Sequence, residues 1–169
     1  MSVAIIMGSD SDWGVMKSAV DTLKSFDVKV EMTIASAHRT PQKVHDFVKN
    51  SDAKIFIAAA GMAAHLAGVV ASLTTKPVIG VPISSEPFKG LDSLLSTVQM
   101  PGGIPVATMA VNGAKNAALF AVEILALQDD ELAKKLISNR EKMAAEVEAK
   151  DKKFQGTGEQ AIGFCVPNS

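Results

Sequence analysis

Three short segments hold the side chains best suited to chemistry. Ser36-Ala37-His38-Arg39-Thr40-Pro41 sets a histidine beside one of only two arginines in the chain. Histidine ordinarily titrates near neutral pH and so moves protons both ways, while a guanidinium grips phosphate or carboxylate with paired hydrogen bonds. Gly8-Ser9-Asp10-Ser11-Asp12-Trp13 offers a glycine for a tight turn and serine hydroxyls that hold phosphate at a helix start. The Asp12 carboxylate would repel phosphate and suits sugar hydroxyls instead. Read alone, the same residues are also ordinary helix caps. The third segment, Ala58-Ala59-Ala60-Gly61-Met62-Ala63-Ala64-His65-Leu66-Ala67-Gly68, is a run of small residues that admits close approach by a bound molecule. His65 within it is a secondary candidate, since a histidine in an apolar stretch is more often simply hydrogen-bonded. His45 lies on a helix flank and receives no chemistry.

Each segment follows an apolar run of strand character. The runs are Val3–Met7, Val28–Ile34, Lys54–Ala59, Pro77–Val81 and Pro105–Ala110, and they alternate with helical patterns. That alternation predicts an α/β fold with a five-stranded parallel sheet, whose ligands sit beyond the carboxyl ends of the strands. Val15, Met16, Ala19, Val20 and Leu23 mark a first helix with one wet face. Thr40 and Pro41 read as the cap and first turn of a second. Asn116–Leu127 is apolar around most of its circumference, and Asp129–Lys153 reads as a long charged helix with Leu132, Leu136, Met143 and Val147 along one stripe. Residues 1–153 form one domain on this reading, with 154–169 a tail of no periodic pattern.

Composition narrows the function. Apolar residues make up 47% of 169 and net charge is −1, so the chain is globular and lacks the basic footprint of a nucleic-acid or membrane binder. The N-terminus enters the first strand without a basic region or cleavage site, and no window is apolar enough to span a bilayer, which points to the cytoplasm. One cysteine, Cys165, supports neither a disulfide framework nor a thiolate metal site. Between Ile55 and Leu127 only six residues are charged, which is too bare for one small domain to bury alone. A homo-oligomer is therefore expected, with the Asn116–Leu127 helix as the leading interface. The Walker phosphate loop, the dinucleotide fingerprint, the nucleophile elbow and His/Cys ligand spacings do not occur.

Taken together, Met7-Gly8-Ser9-Asp10-Ser11-Asp12-Trp13, Ser36 to Pro41, Gly61-Met62-Ala63-Ala64-His65-Leu66 and Gly90-Leu91-Asp92-Ser93-Leu94-Leu95-Ser96-Thr97-Val98-Gln99-Met100-Pro101, followed by Gly103-Ile104-Pro105-Val106, closely resemble the PurE family of purine biosynthesis. The resemblance runs in register from residue 3 to residue 140. It implies a flavodoxin-like three-layer α/β/α sandwich, a homo-octamer with active sites between subunits, and no metal or organic cofactor. It further implies conversion of N5-carboxyaminoimidazole ribonucleotide to 4-carboxy-5-aminoimidazole ribonucleotide, because Arg39, Pro41 and the Gly-Met-Ala-Ala-His-Leu loop resemble the mutase branch. A sister branch carboxylates aminoimidazole ribonucleotide directly with carbon dioxide. By the same resemblance Ser9, Asp12 and Arg39 bind the ribonucleotide, with Ser11 and Ser36 as further phosphate contacts. His38 is then the expected acid and base, and Ala58–Gly61 a dry wall retaining carbon dioxide, with Gly61 and His65 in support. Ala67 and Gly102 depart from the family pattern, which often has proline and a basic residue there. A non-catalytic flavodoxin-like nucleotide or flavin module is the contrasting reading, disfavoured by one Trp and no Tyr.

Overall fold

The structure, a computed structural model, describes residues 1–161, with side chains through Gln155, so Cys165 lies outside the described residues. Five parallel strands, β1 (Ser2–Met7), β2 (Lys29–Ile34), β3 (Ile55–Gly61), β4 (Val78–Ile83) and β5 (Ala107–Thr108), form one sheet in the order β2-β1-β3-β4-β5. Helices α1 (Trp13–Ser25), α5 (Ala114–Ala126) and α6 (Asp130–Ala161) cover one face. Helices α2 (Pro41–Asn50), α3 (Leu66–Leu73) and α4 (Leu91–Val98) cover the other.

Strand periodicity builds the two cores. Val3, Ile5 and Met7 of β1 and Ile55, Ile57 and Ala59 of β3 point toward α1 and α5, while Ala4, Ile6, Phe56 and Ala58 point toward α2 and α3. Both faces of the central strands are buried, so they read as continuous apolar runs. Each large side chain buried this way contributes about 1.5–3 kcal/mol. Gly80 is the tightest approach: a Cβ there would lie 2.4 Å from Thr97 Cγ2, so only glycine lets α4 sit this close to β4.

Several boundaries move. Strand β4 runs past Val81 through Pro82 to Ile83. Proline is tolerated because residue 82 faces the β5 side beyond the end of that strand, where its carbonyl accepts from Asn112 N–H at 2.8 Å. Strand β5 shrinks from the expected six residues to Ala107–Thr108, since Pro105 has no N–H to donate and the chain turns away after Met109 N–H bonds the Gly80 carbonyl. Helix α6 begins after Asp129, whose carboxylate caps Glu131 and Leu132 N–H at 3.1 Å, and continues through Ala161. Extending a formed helix adds one hydrogen bond per residue, which carries it past Gly156 and Gly158. Helix α5 is sandwiched largely within its own chain by α1 and α6, with Ala117, Ala118, Ala121 and Val122 fully buried. The large exposed apolar row lies instead on α4 and the turn before it: Phe88, Leu91, Leu95 and Val98. No helix among the described residues is long and apolar enough to cross a membrane.

Candidate active site

The chain crosses from β1 out to β2, then returns past β1 to β3, so the loops after β1 and β3 splay apart at the carboxyl edge of the sheet. Register aligns the ends: Met7 pairs with Ile34 and Ala59, and Gly61 pairs with Ile83. A cavity of about 680 Å3 opens there, lined by Ser9, Ser11, Asp12, Ser36, His38, Arg39, Gly61 and His65 among others. Every sequence-selected site residue reaches it.

The loop after β1 turns into one turn of 3-10 helix, Asp10–Asp12. Ser9 Oγ accepts from Ser11 N–H at 3.4 Å, and Asp12 Oδ2 accepts from Ser9 N–H at 3.0 Å, a reciprocal cap. Capping and cavity lining therefore belong to the same residues. Burial pushes the Asp12 carboxyl above its usual value, opposed by the Ser9 and Gly8 amides, with Asp10 raising it further and Arg39 lowering it.

The loop after β2 is organised by side chains. Thr40 Oγ1, expected to cap α2, instead accepts the Ser36 N–H at 2.8 Å, while Pro41 opens the helix. Ser36 Oγ accepts from Arg39 N–H at 3.2 Å and Arg39 Nε–H at 3.4 Å. The guanidinium also donates from Nη2 to the Gly8 carbonyl at 3.1 Å, tying this loop to the one after β1.

His38 Nε2 and His65 Nδ1 lie 2.9 Å apart, with the ring planes at 72°. One nitrogen must donate and the other accept, so two rings joined this way carry at most one excess proton. His65 is thus hydrogen-bonded, but to the other candidate rather than to a structural group. His45 sits outside the cavity on α2, against Asp46 at 3.3 Å. Of the supposed dry wall only Ala60 and Gly61 line the cavity; Ala58 and Ala59 are strand residues buried in the sheet cores. Ser84 and Ser85, after β4, also line it and were not singled out from the sequence, where they follow a strand without His, Arg or a glycine turn.

Comparison with known proteins gives the family and the fold. The family model described as AIR carboxylase matches residues 2–146. The chain belongs to the AIR carboxylase family. Among members of that family, the N5-carboxyaminoimidazole ribonucleotide mutase of Methanocaldococcus jannaschii is 59% identical over 153 residues, 90% of this chain and 97% of the relative. That of Mycobacterium leprae is 48% identical over 164 residues, 95% of this chain and 96% of the relative. The crystal structure of Treponema denticola PurE superposes with a TM-score of 0.81 at 34% identity, over 89% of this chain and 96% of that one. The three-layer AIR carboxylase architecture and its five-stranded parallel sheet are therefore those of this chain.

Proposed function

We propose that this protein is the N5-carboxyaminoimidazole ribonucleotide mutase of purine biosynthesis, moving a carboxyl group from the exocyclic nitrogen to the neighbouring ring carbon. The observation that carries the reading is identity of 48 to 59% to relatives of that name along nearly the whole chain. The cavity supplies groups that the chemistry needs.

Arg39, Ser9, Ser11 and Ser36 hold the phosphate, and Asp12 accepts hydrogen bonds from the ribose hydroxyls. His38, as imidazolium, gives its proton to the exocyclic nitrogen as the nitrogen–carboxyl bond breaks. Carbon dioxide, aminoimidazole ribonucleotide and a neutral imidazole result. Carbon dioxide then bonds to the electron-rich ring carbon, and His38 takes the proton that carbon loses. The nitrogen gains one proton and the carbon loses one, so His38 ends as it began. His65, hydrogen-bonded to His38, fixes the ring and its tautomer. Holding both fragments in one cavity keeps the second step effectively unimolecular.

The reading includes a homo-octamer with sites at subunit contacts. Supporting it, Phe88, Leu91, Leu95 and Val98 form an apolar row 48 to 63% exposed, and Leu95 lies in a shallow groove with His65.

The test follows the carboxylated product from N5-carboxyaminoimidazole ribonucleotide and, separately, from aminoimidazole ribonucleotide plus bicarbonate. Rapid product from the first alone is expected. Efficient product from the second at low bicarbonate would make it a direct carboxylase, and none from either would leave a binding module.

A further inference from the structure

One hydroxyl in the cavity has no role so far. Ser85 Oγ exposes less than 1 Å2 and has no hydrogen-bond partner among the described residues, although its residue lines the same cavity as His38. A buried hydroxyl is ordinarily satisfied, and this one belongs to a residue lining the cavity, where a bound molecule could supply the missing partner once the side chain turns toward it.

Its position says which part of the ligand. The sheet order sets the loops in a row: Arg39 after β2, Asp12 after β1, Gly61 and His65 after β3, and Ser85 after β4. On the mutase reading, on which this inference rests, the phosphate is held from the loops after β2 and β1 by Arg39, Ser9 and Ser11, and the ring lies at the histidine pair, which His38 joins from the loop after β2 and His65 from the loop after β3. Ser85, after β4, comes next in the row, on the side away from β2. Gly61 packs against this loop, since a Cβ there would stand 3.3 Å from the Ile83 carbonyl and 3.6 Å from Ser85 Oγ. The loop is also held still: Ser84 N–H donates to Asn112 Oδ1 at 2.9 Å.

We propose that the Ser85 hydroxyl donates a hydrogen bond to an oxygen of the migrating carboxyl group and holds the carbon dioxide formed from it beside the ring until recombination. A neutral donor suits this task. It recognises the carboxylate before and after transfer, still finds an acceptor oxygen on carbon dioxide, and carries no charge that would trap the carboxylate ground state. Ser85 makes and breaks no covalent bond; the proton movements stay with His38.

The test supplies the full-length protein with N5-carboxyaminoimidazole ribonucleotide labelled with carbon-13 in the migrating carboxyl, in buffer holding unlabelled bicarbonate. Label retention in the product, release of free aminoimidazole ribonucleotide, kcat, KM and the thermal midpoint are measured for wild type and Ser85→Ala. Wild type is expected to retain most of the label. Ser85→Ala is expected to release several times more aminoimidazole ribonucleotide, to lose label to the buffer and to drop kcat about tenfold. Its thermal midpoint should barely move, since no internal hydrogen bond is lost, while KM should rise severalfold because the same hydroxyl binds the carboxylate of the substrate. Equal label retention in the two proteins, whatever happens to kcat, overturns the assignment while leaving the mutase reading intact. A wild type that makes no product overturns both.

Discussion

At the residue scale, the neighbours of a side chain decide its chemistry. His38 and His65 are 27 positions apart and join through one N–H···N bond. On the mutase reading, His38→Asn removes the group proposed to give and take the proton. Turnover should fall by about 10²–10⁴-fold, with ribonucleotide affinity by calorimetry nearly unchanged. Asp12 is different, because its carboxyl is buried. In the folded state it holds its proton more tightly than in the unfolded chain, where the value is near 3.8. Its contribution to stability therefore declines as pH rises from there through the raised folded value. Asp12→Asn has no such ionisation and still accepts the Ser9 N–H. The variant's thermal midpoint should gain on wild type as pH climbs from 3.8 through the raised folded value, then run parallel. Ribonucleotide binding should weaken about tenfold or more, since a charged acceptor is lost. A midpoint difference independent of pH would contradict the first expectation, and unchanged affinity the second.

At the element scale, the loop after β4 depends on a residue from a different turn. Asn112 adopts φ of +59°, donates to the Pro82 carbonyl and accepts from Ser84 N–H. Asparagine tolerates that left-handed backbone because its short amide bonds locally. Asn112→Ala keeps the strained backbone and loses the amide bond, a cost of about 2 kcal/mol in denaturant titration, whereas Asn112→Gly relieves the strain and should cost about half. Equal costs would mean the backbone geometry is unimportant. Strand interiors were readable beforehand because period-two burial is local, as Val3, Ile5 and Met7 against Ala4 and Ile6 illustrate. Strand ends were not, since β5 stops where Pro105 and the turn toward Asn112 leave it no partner.

At the scale of the whole molecule, the scarcity of charge between Ile55 and Leu127 pointed to buried surface, part of which is buried within the chain. The structure buries α5 largely within the chain and leaves Phe88 outside in the turn before α4, with Leu91, Leu95 and Val98 exposed along one face of that helix. Leu95→Glu puts a carboxylate into that face. Light scattering should show a smaller assembly than wild type, and turnover should fall with it, while the fold by circular dichroism persists. An unchanged mass would remove α4 from the subunit contact.

Residue types and local periodicity were enough to name the fold class, the three loops, and the candidate roles of His38, Arg39 and Asp12. Each of those signals is carried within a dozen residues. Tertiary structure alone decided the rest. The order β2-β1-β3-β4-β5 brings His65 onto His38 and adds Ser85 to the cavity lining. Parallel neighbours are chosen by packing between distant segments, and no local pattern encodes which strand lies beside which.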